Sequence, residues 1–177
     1  MKSKVQDMLE QFGAPADLLA RRDLPLFADA TEFEIAHVSA GGREHLLVPA
    51  AAAQWRTLRA AAENEGVTLL VISGYRGFDR QVELIQAKLD RGEPIDAILA
   101  VMAPPGCSEH HSGCAVDIGT PGCEPLSADF DRTDAFQWLQ QYGNKFGFRL
   151  SYPEGNRWGY TYEPWHWCYR LTPLGDV

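Results

Sequence analysis

Apolar positions near the amino terminus recur at helical spacing (Val5, Met8, Leu9, Phe12) until Pro15 and Pro25 interrupt them. This predicts an arm over residues 1–30, packed on a domain of residues 31–177. Residues 32–38 and 45–48 are apolar and partly β-branched, and Gly41-Gly42 between them predicts a hairpin. Pro49 to Glu65 is alanine-rich with no glycine inside, which favours a helix stopped by Gly66. Val67 to Ser73 is a continuous apolar run, too short for a buried helix, and reads as a core strand. Asp79 can cap a helix running to about Arg91, with Val82, Ile85 and Leu89 on its buried face.

After the Pro-Pro-Gly loop at 104–106, the segment Cys114 to Ile118 predicts another strand. Asp131 or Thr133 can cap a helix carrying Phe136, Trp138, Leu139 and Tyr142, which ends before Gly147. Phe148 to Tyr152 and about Trp165 to Leu171 read as extended. Helices and short strands mix without a βαβ rhythm. The expected fold is a single α+β domain, with a mainly antiparallel sheet and flanking helices.

Composition narrows the function. A 177-residue chain with 45% apolar residues can bury about two thirds of its unfolded surface, so it folds without a disulfide or structural metal. A metal in it would serve chemistry. The net charge of −8, with no basic run longer than Arg21-Arg22, argues against a nucleic-acid partner. No stretch reaches the ~18 apolar residues of a membrane span. Met1 to Asp7 starts basic but leads into no apolar export segment, so the chain as written is expected in the cytoplasm. Removal of an export signal would make it periplasmic or otherwise extracytoplasmic. Cys107, Cys114, Cys123 and Cys168 form no C-x-x-C pair, which removes zinc-ribbon and thioredoxin readings and favours free thiols.

The candidate chemistry lies in polar residues placed inside strand-like segments. In Cys114-Ala115-Val116-Asp117-Ile118, alternation puts Asp117 on the face opposite Val116 and Ile118. A carboxylate there needs a partner, because burying it unpaired is costly. His110 stands seven residues earlier, and Ser112-Gly113 permits a tight turn that aims both side chains at one point. His166 sits between Trp165 and Trp167. Two histidines and a carboxylate make a catalytic zinc set, and Glu163 can accept a proton from water there. Because it lies three residues before His166, Glu163 must sit in a turn at Pro164 to share that face. Each residue also has a plain alternative. His110 can be a loop histidine, His166 a packed core histidine, and Asp117 the partner of an arginine.

These residues fall within longer motifs: Ser108-Glu109-His110-His111-Ser112-Gly113-Cys114-Ala115-Val116-Asp117, Glu163-Pro164-Trp165-His166 and Ser73-Gly74-Tyr75-Arg76. Together with Gly147-Phe148, Tyr152-Pro153 and Gly159-Tyr160, they resemble the VanY-like D-alanyl-D-alanine carboxypeptidases over residues ~45–170. The resemblance implies a Hedgehog/DD-peptidase-like fold, Zn2+ held by His110, Asp117 and His166, and base catalysis by Glu163. It also implies removal of a terminal D-alanine from peptidoglycan stem peptides. Arg76 has a physical case of its own, since a guanidinium reads a free carboxylate through two parallel hydrogen bonds. The resemblance adds Gln81 and Ser108 to that pocket.

Two departures stand out. Ser151 precedes Tyr152-Pro153 where members often carry arginine, and His111 replaces a common glutamine and competes with His110 as ligand. Cys168 shares strand parity with His166 and is a candidate fourth ligand, with packing as the alternative. His37 and His45 lie outside every motif. An endopeptidase that needs no carboxylate clamp, a silent cell-wall-binding module and a structural zinc domain are the rival functions. Within the carboxypeptidase reading, the L,D bond of tetrapeptides is favoured over the D,D bond of pentapeptides. Acidic groups near the site, with Tyr152 and Tyr160, would suit a long charged side chain before the scissile bond.

Overall fold

A computed structural model describes residues 2–170. The chain opens with α1 (Lys2–Gln11) and α2 (Leu18–Arg21), then a hairpin of β1 (Glu34–Val38) and β2 (Glu44–Leu47). Next come α3 (Pro49–Asn64), β3 (Leu70–Ser73), α4 (Phe78–Asp90) and α5 (Ile95–Val101). A 3-10 helix at Glu109–Ser112 leads into β4 (Ala115–Gly119), then α6 (Asp134–Tyr142), β5 (Phe148–Leu150) and β6 (His166–Tyr169). The main sheet has the order β3-β4-β6-β5, and every pairing in it is antiparallel. This is the expected α+β arrangement. Among the described residues, no helix is long and apolar enough to cross a membrane.

Two apolar clusters flank the site. The first packs one face of the sheet (Val71, Val116, Ile118, Phe148, Trp167) on Trp55 and Leu58 of α3 and Trp138 and Leu139 of α6. The second joins Val5 and Leu9 of α1 to Phe78 and Ile85 of α4, Ile98 and Leu99 of α5, and Tyr152 and Tyr160. Val5 and Leu9 are fully buried. The amino-terminal residues therefore help build the layer that carries Tyr152 and Tyr160.

Several local expectations need correction. Asp79 does not cap α4: Gly77 occupies the cap position, and the Phe78 N–H donates instead to Asp29 Oδ1 at 2.9 Å. Asp79 lies one residue inside, where a carboxylate still favours the helix dipole. Of the two candidate caps for α6, Thr133 is the one used; its Oγ1 accepts from the Phe136 N–H at 3.2 Å. α5 was not anticipated, although Ile95, Ile98 and Leu99 follow Pro94 at helical spacing. β3 begins at Leu70 and β5 ends at Leu150, each shorter than the apolar run that signalled it. β6 starts at His166, and Leu171 lies outside the described residues.

Candidate metal centre

The site is assembled by one close approach, one reversal and one register. At the end of β3, a Cβ on Gly74 would lie 2.7 Å from the Leu46 carbonyl oxygen, so only glycine allows β2 and this loop to meet. Ser108 then caps the 3-10 helix, its Oγ accepting the His110 N–H at 3.3 Å. Gly113 ends that helix at φ 66°, in the left-handed region, and turns the chain into β4. On β4, Asp117 pairs in register with His166 of β6. The two side chains share the face turned away from Val116, Ile118 and Trp167.

His110 Nε2 lies 3.2 Å from Asp117 Oδ2, and His166 Nδ1 lies 3.0 Å from Asp117 Oδ1. One ligand atom from each of the three lies within 4.8 Å of the others, and all three residues are buried. The remote ring nitrogens are engaged elsewhere: His110 Nδ1 meets the Gly74 carbonyl at 2.7 Å, and His166 Nε2 meets Glu109 Oε2 at 3.0 Å. Each imidazole thus spends its outer nitrogen on an oxygen acceptor and turns its inner one toward Asp117 and the point where the three side chains converge. That is how metal-ligating histidines are held, and the donor set fits zinc.

Glu163 reaches this centre because the chain turns before β6, with the His166 N–H donating to the Glu163 carbonyl at 3.1 Å. Its Oε2 lies 3.9 Å from His166 Nδ1. Burial pushes the Glu163 carboxyl up to about 7, partly offset by His166. Asp117 is held well below the usual carboxylate range; burial opposes this, but the neighbouring His110 and His166 outweigh it. Without a metal, His166 is raised to about 10, because its hydrogen bonds to Asp117 and Glu109 overcome burial. The Asp117 and Glu109 carboxylates around the two imidazoles favour positive charge at this centre.

These groups open on a cleft of about 390 Å³ that Arg76, Ser108, Tyr152 and Glu163 also line. Arg76 is the clamp candidate. Burial lowers its pKa, while Asp117 and Glu163 act in the opposite direction. Its Nε is buried without a partner. Tyr152 packs at a tilt of 33° against His166, with ring centroids 4.6 Å apart. Gln81 is fully buried and does not line the cleft; its Nε2 donates to the Ala103 carbonyl at 2.6 Å, and Ala103 does line it.

His111 stands outside the ligand cluster. Its Nε2 accepts the Gly106 N–H at 2.9 Å, and its Nδ1 meets the Arg76 carbonyl at 2.6 Å. Cys168 is paired in register with Ala115, two positions from the Asp117–His166 pair, and is not part of the cluster. All four cysteines are free. His37 and His45 lie on the hairpin, their rings 5.9 Å apart. Ser151 turns away from the cleft and donates to Glu109 Oε2 at 2.5 Å. Glu109 is the residue that sequence reasoning passed over. Among the motif letters it reads as a helix-start acid, and its only local signal is its place beside His110.

A profile of the VanY family, described as D-alanyl-D-alanine carboxypeptidase, matches residues 44–172. The bifunctional D-Ala-D-Ala dipeptidase and carboxypeptidase VanXYC of Enterococcus gallinarum is 36% identical over 140 residues, covering 74% of this chain and 70% of that protein. YodJ of Bacillus subtilis is 38% identical over 118 residues, covering 64% of this chain, which spans only 42% of YodJ. Among solved structures, the LdcB LD-carboxypeptidase aligns with a TM-score of 0.72 at 31% identity, covering 82% of this chain and 71% of that one. A vancomycin-resistance D,D-pentapeptidase VanY variant bound to Zn(II) aligns at 0.63 and 29% identity, covering 79% of each chain.

Proposed function

The chain belongs to the VanY family of D-alanyl-D-alanine carboxypeptidases, and we propose that it is a zinc-dependent carboxypeptidase releasing the terminal D-alanine of peptidoglycan stem peptides. One observation carries the reading: a buried His110–Asp117–His166 cluster shares a cleft with Glu163 and Arg76. Zinc held by the three ligands would supply Lewis acidity toward the scissile carbonyl and the attacking water. Glu163 takes the proton from that water and returns it to the departing amine of D-alanine, which balances the hydrolysis. The burial that raises its pKa makes it a stronger base once ionised. Arg76 binds the terminal carboxylate. Its unpartnered Nε and nearly buried guanidinium suit a substrate group of opposite charge. Tyr152, packed against His166, walls the cleft and excludes water from the reacting face.

An endopeptidase would have no use for a buried cation beside the reacting centre. A silent wall-binding module would have no use for the complete set of ligands and base. Within the carboxypeptidase activity, the L,D bond of tetrapeptides is the favoured target. The likeness to the LdcB LD-carboxypeptidase supports it. So does the cleft wall, where Val101 and Leu126 are half exposed and can cover the stem of a long side chain. The expectation of acidic groups for its charged end shifts, because Lys88 lines that cleft and the carboxylates of Asp117 and Glu163 serve the centre. The D,D reading draws on VanYB, solved in complex with D-Ala-D-Ala. Matched tetrapeptide and pentapeptide substrates at equal concentration, with alanine release timed by mass spectrometry, test both levels. Release from neither refutes the enzyme; faster release from the pentapeptide overturns only the L,D preference.

A further inference from the structure

Glu109 immediately precedes the ligand His110 in sequence, yet its side chain serves the other histidine ligand. It is 3% exposed, and a carboxylate that deep is costly unless every oxygen is paired. Here the pairing is complete enough to be a built feature. Oε2 faces His166 Nε2 at 3.0 Å and accepts from Ser151 Oγ at 2.5 Å, while Oε1 pairs with the Arg170 guanidinium. These partners come from three separate parts of the chain: the segment after β5, the start of β6 and the residue just beyond β6.

We propose that Glu109 is the positioning residue of the metal centre, fixing His166 as its Nε2–H tautomer with Nδ1 aimed at the metal. The inference rests on the zinc reading above. An ionised carboxylate is an acceptor only. Paired with Arg170 and hydroxyl-bonded to Ser151, Glu109 therefore requires the proton to sit on His166 Nε2. In the zinc-loaded protein Nδ1 is then the nitrogen that offers its lone pair, on the side where Asp117 Oδ1 and His110 Nε2 also point. A carboxylate behind a metal-bound imidazole also increases its basicity as a ligand. Arg170 and Ser151 hold Glu109 still. Ser151 thus acts behind the centre and leaves the peptide side of the cleft to other residues.

The test uses the full chain, with zinc affinity measured by chelator competition in the absence of substrate. Glu109→Gln preserves volume but has one oxygen where the carboxylate has two, and it carries no charge. It should weaken zinc binding about 10- to 100-fold, and Glu109→Ala at least as much. Nitrogen-15 NMR of the histidine rings in the zinc-loaded protein should show His166 protonated at Nε2, with a far-downfield proton that moves upfield in Glu109→Gln. If Glu109→Ala does not fold, Glu109→Gln alone decides. Wild-type zinc affinity in Glu109→Gln, or a His166 ring signal that does not change, overturns the proposal. If the parent protein binds no zinc, the metalloenzyme reading falls with it. If the parent binds zinc and the variants match it, only the role of Glu109 is lost.

Discussion

His110 and His111 are adjacent and equally hidden, yet they serve different regions of the molecule. His110 turns to Asp117 and His166 on the sheet. His111 turns toward the loop and helix side, where it ties the Arg76 carbonyl to the Gly106 N–H. In a 3-10 helix, successive side chains are about 120° apart, so one turn couples the region that holds the metal to the region that holds the clamp. Residue type alone does not separate the two histidines; what each ring nitrogen meets does. The sheet region offers lone pairs converging on one point. The other offers a buried cation, reached through backbone supports.

The largest effect should come from breaking the sheet region. Changing His110, Asp117 or His166 to Ala should abolish zinc retention, measured by metal analysis, and activity with it. His111→Gln, whose amide can both donate and accept, should keep about one zinc per chain. Loss of zinc in His111→Gln together with retention in His110→Ala would reverse the comparison. Next in size is Glu163→Gln, which removes the proton acceptor and no ligand. Zinc should stay, and kcat should fall by about 10²-fold or more. Activity close to that of the parent would point to another base.

Arg76→Ala probes the other region. Zinc content should not change, and the preference for a free terminal carboxylate over its amide should shrink by roughly 10- to 100-fold in kcat/KM. Equal cleavage of acid and amide by the parent protein would remove the clamp altogether.

The smallest effect is a stability difference in the metal-free protein. The folded pKa of Glu163, about 7, lies above its ordinary value of 4.5. The folded state therefore binds more protons between those values, and this group's contribution to stability falls as pH rises through that window. Metal-free Glu163→Gln should consequently gain on the order of 3 kcal/mol over the parent at pH 8, relative to their difference at pH 4. Thermal unfolding at the two pH values reads it, and an equal difference at both would mean that Glu163 ionises freely.

What the sequence determined by itself was whatever lies within a short window. Strand alternation put Asp117 on the face opposite Val116 and Ile118, and the register carries that through to His166. Gly113 marked the turn before β4, and the alanine-rich run marked α3. Periodicity and backbone restriction act locally, so local patterns reveal them. The tertiary structure decided the partners. Asp29 replaces Asp79 at the start of α4 from 49 residues away, Gln81 turns to Ala103, and Glu109 meets Ser151, His166 and Arg170 across 42, 57 and 61 residues. None of these follows from spacing, because a buried polar group takes whichever partner the packed chain brings within hydrogen-bond reach. Only the folded register and the two apolar clusters fix which one that is.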